Sequence, residues 1–362
     1  MNIKYNILPV KILLVLVYML AFASCSHSNG KEKKHEIPEI ARMDEYTTSK
    51  KYPGKYADES LEEWQKRIPE IEKVNITSTM DGKKEPALFY ASNSERKKPL
   101  LVVLHSWSSE YLQEVSVPYA IWSKRYDWAF IQPNYRGAFD NPEAMASDMA
   151  VQDIIDAVNF AKGSANIDTS RIYLVGSSGG AMTALVAASR RPDIWAGVAA
   201  WVPIFDLVDW YKFTTQYPER YYLTNVVSAC GGVPTPGTPA AEECKRRSPS
   251  TQLENAKGVP IFLAHALTDV LVPVSHSVRA FNVLAQPEDT ISQAQIKHMI
   301  FQKELPSDME SDELSPYFSK KDPKVLFTRN SKNLHFVIYD GVHDMAYNPT
   351  LLWLSEQQET KK

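Results

Sequence analysis

Cysteine is scarce, with three residues in a chain of 362. None sits with histidine at the spacing of a zinc site, so no structural metal is expected. A surplus of basic charge is missing too. Lys and Arg total 40 against 43 Asp and Glu, a formal net charge of −3, and no RNA- or DNA-binding motif appears, which excludes a nucleic-acid-binding reading. No apolar run is long enough to span a bilayer; the longest candidate, Ile12–Ala23, is too short. Internal repeats are absent. A dinucleotide-binding glycine loop is absent as well, because position 178, where Gly-x-Gly-x-x-Gly needs glycine, is serine. No cofactor is implied.

What is there is organised around Arg171–Leu185. Ile172–Val175 is a short apolar run that predicts a buried strand. It breaks at Gly176, and a helix of small residues is expected from near Gly179 to about Arg190. The break holds Gly-x-Ser-x-Gly at Gly176, Ser178 and Gly180. That is the pattern of a nucleophile elbow, a turn tight enough to demand glycine that lifts a serine oxygen to a helix N-terminus. Further apolar strands are expected at Leu100–Leu104, Ala129–Gln132, Trp195–Val202, Ile261–His265 and Leu334–Tyr339. An opening hairpin, Val74–Ser78 with Pro86–Ala91, turns at Asp81-Gly82, and Leu61, Trp64 and Ile68 mark a helix within Ala57–Pro69. Val151, Ile154, Ile155 and Val158 recur at helical spacing. Strand and helix alternation predicts one α/β domain, an α/β-hydrolase fold with a mainly parallel central sheet covered by helices on both faces. Its bounds are expected at 57–362, with a cap-like insertion at 203–258 rich in Trp and Tyr and a helix-and-loop edge insertion at 287–333.

The N-terminus reads as a targeting segment. Lys4 and Lys11 precede the apolar run, and Phe22-Ala23-Ser24-Cys25 resembles a bacterial lipobox. The expectation is a lipoprotein signal peptide at 1–24, lipidation at Cys25, a polar tether over 25–56, and an exported, membrane-anchored protein facing the periplasm or cell surface. Cys230 and Cys244 then remain as a pair in an oxidising setting, where they can bridge a Gly/Pro-rich loop.

An elbow serine needs a base. His343 fits, on a short turn after the strand ending at Tyr339. His27 and His35 fall in the tether, His105 precedes the elbow, His265 and His335 fall on strands, and His276 and His298 on expected helices. Asp269, in the loop after Ile261–His265, supplies the acid in the order Ser…Asp…His; Asp206 is the competing acid. Two backbone N–H groups must face the developing oxyanion. Gly179 supplies one, and Ser106 or Trp107 the other.

The region from about Leu100 to Met345 resembles the prolyl-oligopeptidase-like branch of the α/β-hydrolases. The matching stretches are Pro133-Asn134-Tyr135-Arg136-Gly137, Gly176-Ser177-Ser178-Gly179-Gly180, Arg247-Ser248-Pro249-Ser250, Asp269 with Val272-Pro273, and Gly341 before His343. The resemblance implies a triad of Ser178, Asp269 and His343. It departs at Ser106, where the family usually has glycine after the oxyanion-loop histidine. Fewer than about 75 residues separate Cys25 from Leu100, too few for the β-propeller that peptidases of this branch usually carry. Propeller-less relatives are often esterases, including bacterial esterases of plant glycans. The expected activity is therefore serine hydrolysis of acetyl or methyl esters on a plant-type polysaccharide. Trp107, Arg136, Trp210 and Tyr211 are the candidate substrate contacts. The alternatives are an exported peptidase of the dipeptidyl or acyl-peptide type, and a glycan-binding lipoprotein without activity.

Overall fold

The computed structural model describes residues 40–50 and 56–358. Lys4, Lys11, the 12–23 run and Cys25 lie outside them.

Nine strands form one sheet. In chain order they are β1 (Glu72–Thr77), β2 (Lys84–Tyr90), β3 (Lys98–Leu104), β4 (Ala129–Pro133), β5 (Ile167–Ser177), β6 (Gly197–Trp201), β7 (Ile261–Ala266), β8 (Val325–Ser331) and β9 (Leu334–Tyr339). The spatial order is β1-β2-β4-β3-β5-β6-β7-β9-β8. From β4 to β9 all neighbours run parallel; the β1–β2, β2–β4 and β8–β9 pairs are antiparallel. Burial of every residue of β3, β4, β6, β7 and β9 explains their largely apolar sequences, since a parallel sheet is covered on both faces.

The period-2 pleat sorts the strand side chains into two cores. Leu100, Val102 and Leu104 face one cluster. It is filled by α3 (Asp148–Ser164), α4 (Gly179–Arg190) and α8 (Ser275–Leu284). Leu101 and Val103 face the other, which is filled by α1 (Leu61–Arg67), α2 (Val117–Arg125) and α10 (Tyr347–Ser355). Between β6 and β7, residues 203–258 hold α5 (Leu207–Thr214), α6 (Tyr222–Cys230) and α7 (Pro239–Arg246). Cys230 and Cys244 form a disulfide that ties the end of α6 to α7, with their Cα atoms 5.3 Å apart.

Two expectations need correction. Residues 40–50 do not hang free as part of a tether. Met43 is fully buried, its N–H donates to Asn348 Oδ1 at 2.8 Å, and Thr48 pairs with Ala346. Met43, the buried Thr47, Thr48 and Ser49, and partly buried Ile40 and Tyr46 dock a segment whose composition is largely polar. The 287–333 insertion does contain a helix, α9 (Gln293–Gln302), but it also supplies strand β8. That strand escapes notice because its two-residue turn to β9 is Lys332-Asn333, with Lys332 at φ 53°, instead of the glycine turn that usually marks a hairpin.

Candidate active site

Helix α4 begins where β5 ends. Ser178 stands at the junction with φ 56° and ψ −120°, a conformation that L-residues avoid. The surroundings enforce it. A methyl group at position 180 would stand 2.5 Å from the carbonyl oxygen of His105, and one at 176 would collide with the Gly180 main chain. The helix therefore rests on bare backbone, and the serine is raised off the sheet. Gly179 opens α4, where an N–H lacks an intrahelical acceptor.

Asp269 follows β7 and His343 follows β9, so both leave the C-terminal edge of the parallel sheet, as Ser178 does from β5. His343 Nδ1 lies 2.7 Å from Asp269 Oδ2. The carboxylate is buried. Its Oδ1 accepts the N–H groups of Leu271 at 2.8 Å and Val272 at 3.1 Å. Burial alone would raise its pKa; His343 and His265 beside it outweigh that and hold it well below the usual carboxylate range. A carboxylate kept ionised against His343 Nδ1 fixes the tautomer that leaves Nε2 free to take a proton. The competing acid, Asp206, is occupied elsewhere. It caps α5, accepting Val208 N–H and Asp209 N–H, and takes a hydrogen bond from Ser250.

The loop after β3 separates the two oxyanion candidates. Ser106 N–H donates to Gln113 Oε1 at 2.9 Å, so it is not free. The backbone N–H of Trp107 has no partner among the described residues, and the Trp107 ring lies against Gly179. Ser106 is thus corrected from candidate donor to anchor, and Trp107 with Gly179 remains. Gln113, which the sequence does not mark, shapes this loop. It is buried and also donates to Ser106 Oγ at 2.6 Å and Ser109 Oγ at 3.1 Å.

With the edge assembled, comparison with known proteins becomes informative. The model of the prolyl oligopeptidase family matches residues 121–304, just over half of the sequence. The chain belongs to the prolyl oligopeptidase family. Acylamino-acid-releasing enzyme 1 of Oryza sativa subsp. japonica is 26% identical over 301 residues, covering 78% of this chain and 37% of that protein. The chain therefore spans well under half of that relative's length. Among solved structures, the acylaminoacyl peptidase of Pyrococcus horikoshii in its orthorhombic form is 15% identical with a TM-score of 0.48, over 76% of this chain and 37% of that one. A thermostable esterase is 15% identical with a TM-score of 0.47, over 81% of this chain and 64% of that one.

In this prolyl oligopeptidase family chain the expected substrate contacts are mostly withdrawn from solvent. The Arg136 side chain is only 1% exposed. Its Nε lies 2.6 Å from Asp153, its Nη1 2.7 Å from Asp81 and 3.1 Å from Glu143, and its Nη2 2.9 Å from Ser78. Arg136 ties the β1–β2 turn to α3 and has no donor left for a ligand. Trp107 and Trp210 are buried and packed on each other, with ring centroids 4.8 Å apart. Their indole N–H groups are used too, Trp107 on Asn225 at 3.0 Å and Trp210 on the Leu271 carbonyl at 2.9 Å. Neither ring offers a face for a sugar. Tyr211 is half-buried against the core. Tyr222, one of the aromatic residues of the cap-like insertion, completes the wall, 5.8 Å from Trp107 and 5.3 Å from Trp210. Burial and its neighbour Tyr221 push its hydroxyl up to about 12, so it stays neutral. Among the described residues no cluster of metal-ligating side chains occurs, and no helix is long and apolar enough to cross a membrane.

Two outcomes follow. Replacing Arg136 by Met strands the buried Asp153 carboxylate, so unfolding in urea should show a loss of about 3–5 kcal/mol, while KM of the folded fraction is unchanged. Asp344, buried next to His343, has its carboxyl pushed up to about 6 by burial. Its folded value exceeds its unfolded one, so the folded state is best stabilised while Asp344 is protonated and loses that advantage as pH rises from about 4 through 6. Asp344→Asn should raise stability at pH 7 by about 2–3 kcal/mol and give no gain at pH 4, measured by thermal unfolding at both.

Proposed function

We propose that this chain is a serine peptidase of the acyl-peptide-releasing type. Ser178, deprotonated by His343, attacks the acyl carbonyl, with Asp269 holding the imidazole. The N–H groups of Gly179 and Trp107 take the charge that develops on oxygen. His343 then protonates the departing amine, and water releases the acyl-enzyme.

The observation that carries the peptide class is the chemistry of the rim. Val270, immediately after Asp269, is 58% exposed; Val342, immediately before His343, is 40% exposed; Tyr221, at the start of α6, is 51% exposed. Apolar side chains left in solvent beside two of the three triad positions suit an apolar substituent such as a peptide side chain. The aromatic residues expected to stack on sugars are instead internal. Family membership and the likeness to an acylamino-acid-releasing enzyme support the same reading. The glycan-ester reading loses Arg136, Trp107 and Trp210, the contacts on which it leaned.

The test compares N-acetylated and free aminoacyl p-nitroanilides, p-nitrophenyl acetate and methyl-esterified pectin. Cleavage of acylated anilides, reduced by about 10⁴-fold or more in Ser178→Ala, is expected. Rapid pectin turnover with inert anilides would overturn the peptidase reading in favour of the glycan esterase. Absence of fluorophosphonate labelling would leave only the non-catalytic one.

We also propose export with a lipid anchor at Cys25. The Cys230–Cys244 bridge supports this, because disulfides persist in oxidising compartments. Cys25→Ala should move the protein from the membrane fraction to the soluble fraction; unchanged partition would refute the anchor.

A further inference from the structure

His265 looks like a strand residue and is fully buried at the end of β7. Its ring nevertheless faces the candidate triad. Nε2 lies 2.9 Å from the Val272 carbonyl and 3.4 Å from Asp269 Oδ2. Both neighbours are acceptors, so Nε2 must carry the proton. Nδ1 lies 2.6 Å from the Oγ of Ser277, also fully buried, on α8. The Ser277 hydroxyl can donate to it, which selects the Nε2–H tautomer.

Asp269 Oδ2 therefore lies between two imidazoles, His343 at 2.7 Å on the solvent side and His265 at 3.4 Å on the core side, while Oδ1 is fixed by backbone N–H groups. The core-side contact is long for a hydrogen bond and acts as a directed dipole. His265 also grips the Val272 carbonyl, and Val272 N–H is one of the donors to Oδ1. One ring thus braces both the carboxylate and the turn that carries it.

We infer that His265, with its tautomer set by Ser277, is a positioning residue that orients Asp269 toward His343. The inference rests on the triad reading above. Asp269 is not reached through bulk solvent, so nothing but its neighbours can fix its rotamer. In a low-dielectric pocket a misdirected carboxylate leaves the imidazolium without its partner, and small displacements of such groups cost much activity.

Glutamine and asparagine separate the roles of the two ring nitrogens. In His265→Gln the side-chain NH₂ reaches about as far as Nε2 and can keep the donor to Val272 and Asp269. In His265→Asn the amide ends near the Nδ1 position, can still meet Ser277, and falls short of Asp269. The readouts are the rate of fluorophosphonate labelling, which does not depend on the natural substrate, and kcat and KM for whichever chromogenic substrate turns over, both per labelled active site. Thermal unfolding is followed in parallel. The expected result is a fall in labelling rate and kcat of about 10–100-fold in His265→Asn, with KM unchanged and Gln within about threefold of wild type. Ser277→Ala should give a smaller loss in the same direction, which keeps the test usable if an Asn variant folds poorly. Equal loss in Asn and Gln, or no loss in Asn and Ser277→Ala, overturns the inference. Labelling that survives Ser178→Ala would instead overturn the triad reading, and the inference with it.

Discussion

The contact between α4 and the end of β3 constrains everything around it. The helix approaches so closely that position 180 has no room for a side chain against the His105 carbonyl, and position 176 has none against the helix itself. Two strands and a helix are thereby locked at one point. The bend between them forces Ser178 into its strained conformation. The same contact fixes the chain leaving β3, so Trp107 and Gly179 come together on one side of the serine. The candidate nucleophile and the candidate oxyanion donors are not two separate placements here; one steric limit acts on both. Gln113 completes the arrangement by taking the Ser106 N–H, while the next N–H along the chain has no partner among the described residues.

The cap helices are fastened to the same edge. The Trp210 indole donates to Leu271, and the Arg220 guanidinium donates to Val270 at 3.1 Å; both carbonyls belong to the loop that carries Asp269. Asn225 on α6 accepts from Trp107 on the oxyanion loop. Helix α6 is held in turn by the disulfide to α7. The aromatic wall of buried Trp107, Trp210 and Phe139 with half-buried Tyr222 fills the space between these anchors. Its rings stabilise the cap through packing, at roughly 0.5–1.5 kcal/mol per aromatic pair beyond area burial. The exposed apolar residues lie at the rim, on the loops themselves. On the proposed peptidase reading, Val270, Val342 and Tyr221 meet the substrate more than the wall behind them does.

Much of this was legible because the decisive signals are local. A strand, a tight turn and a helix spell the elbow within a few residues. Asp269 and His343 each sit a few residues beyond an apolar strand, and chain order ranks them. The Cys230–Cys244 pairing needed only a count. What escaped depends on partners far away in sequence. Arg136 looks like a loop cation until Asp81 and Asp153 close on it from 55 and 17 residues away. Trp107 and Trp210 look like a binding surface until each ring is found to cover the other. His265 reads as a strand residue, although its ring meets Ser277 on α8 and reaches the turn that carries Asp269. Residues 40–50 carry a polar composition that conceals the buried Met43 and the buried hydroxyl residues beside it.

Three buried carboxylates show how differently the fold treats the same chemical group. Asp153 is desolvated, and burial raises its carboxyl on balance; the guanidinium of Arg136 offsets only part of that cost, a pairing that serves structure. Asp344 receives only partial compensation from backbone N–H groups and the nearby Lys50, and burial prevails, so its proton stays on to about pH 6. Asp269 is as deeply buried as either, yet it is held ionised without a permanent cation. Two backbone N–H groups and two imidazoles do this, and imidazoles are donors whose charge can change. Arginine in place of His343 would hold the carboxylate more firmly, but it could not exchange a proton near neutral pH. The loop N–H groups and His265 share with His343 the task of holding Asp269 charged, and His343 as an imidazole still presents a second nitrogen that can accept a proton. That division of labour separates a carboxylate that serves stability from one that can serve acyl transfer.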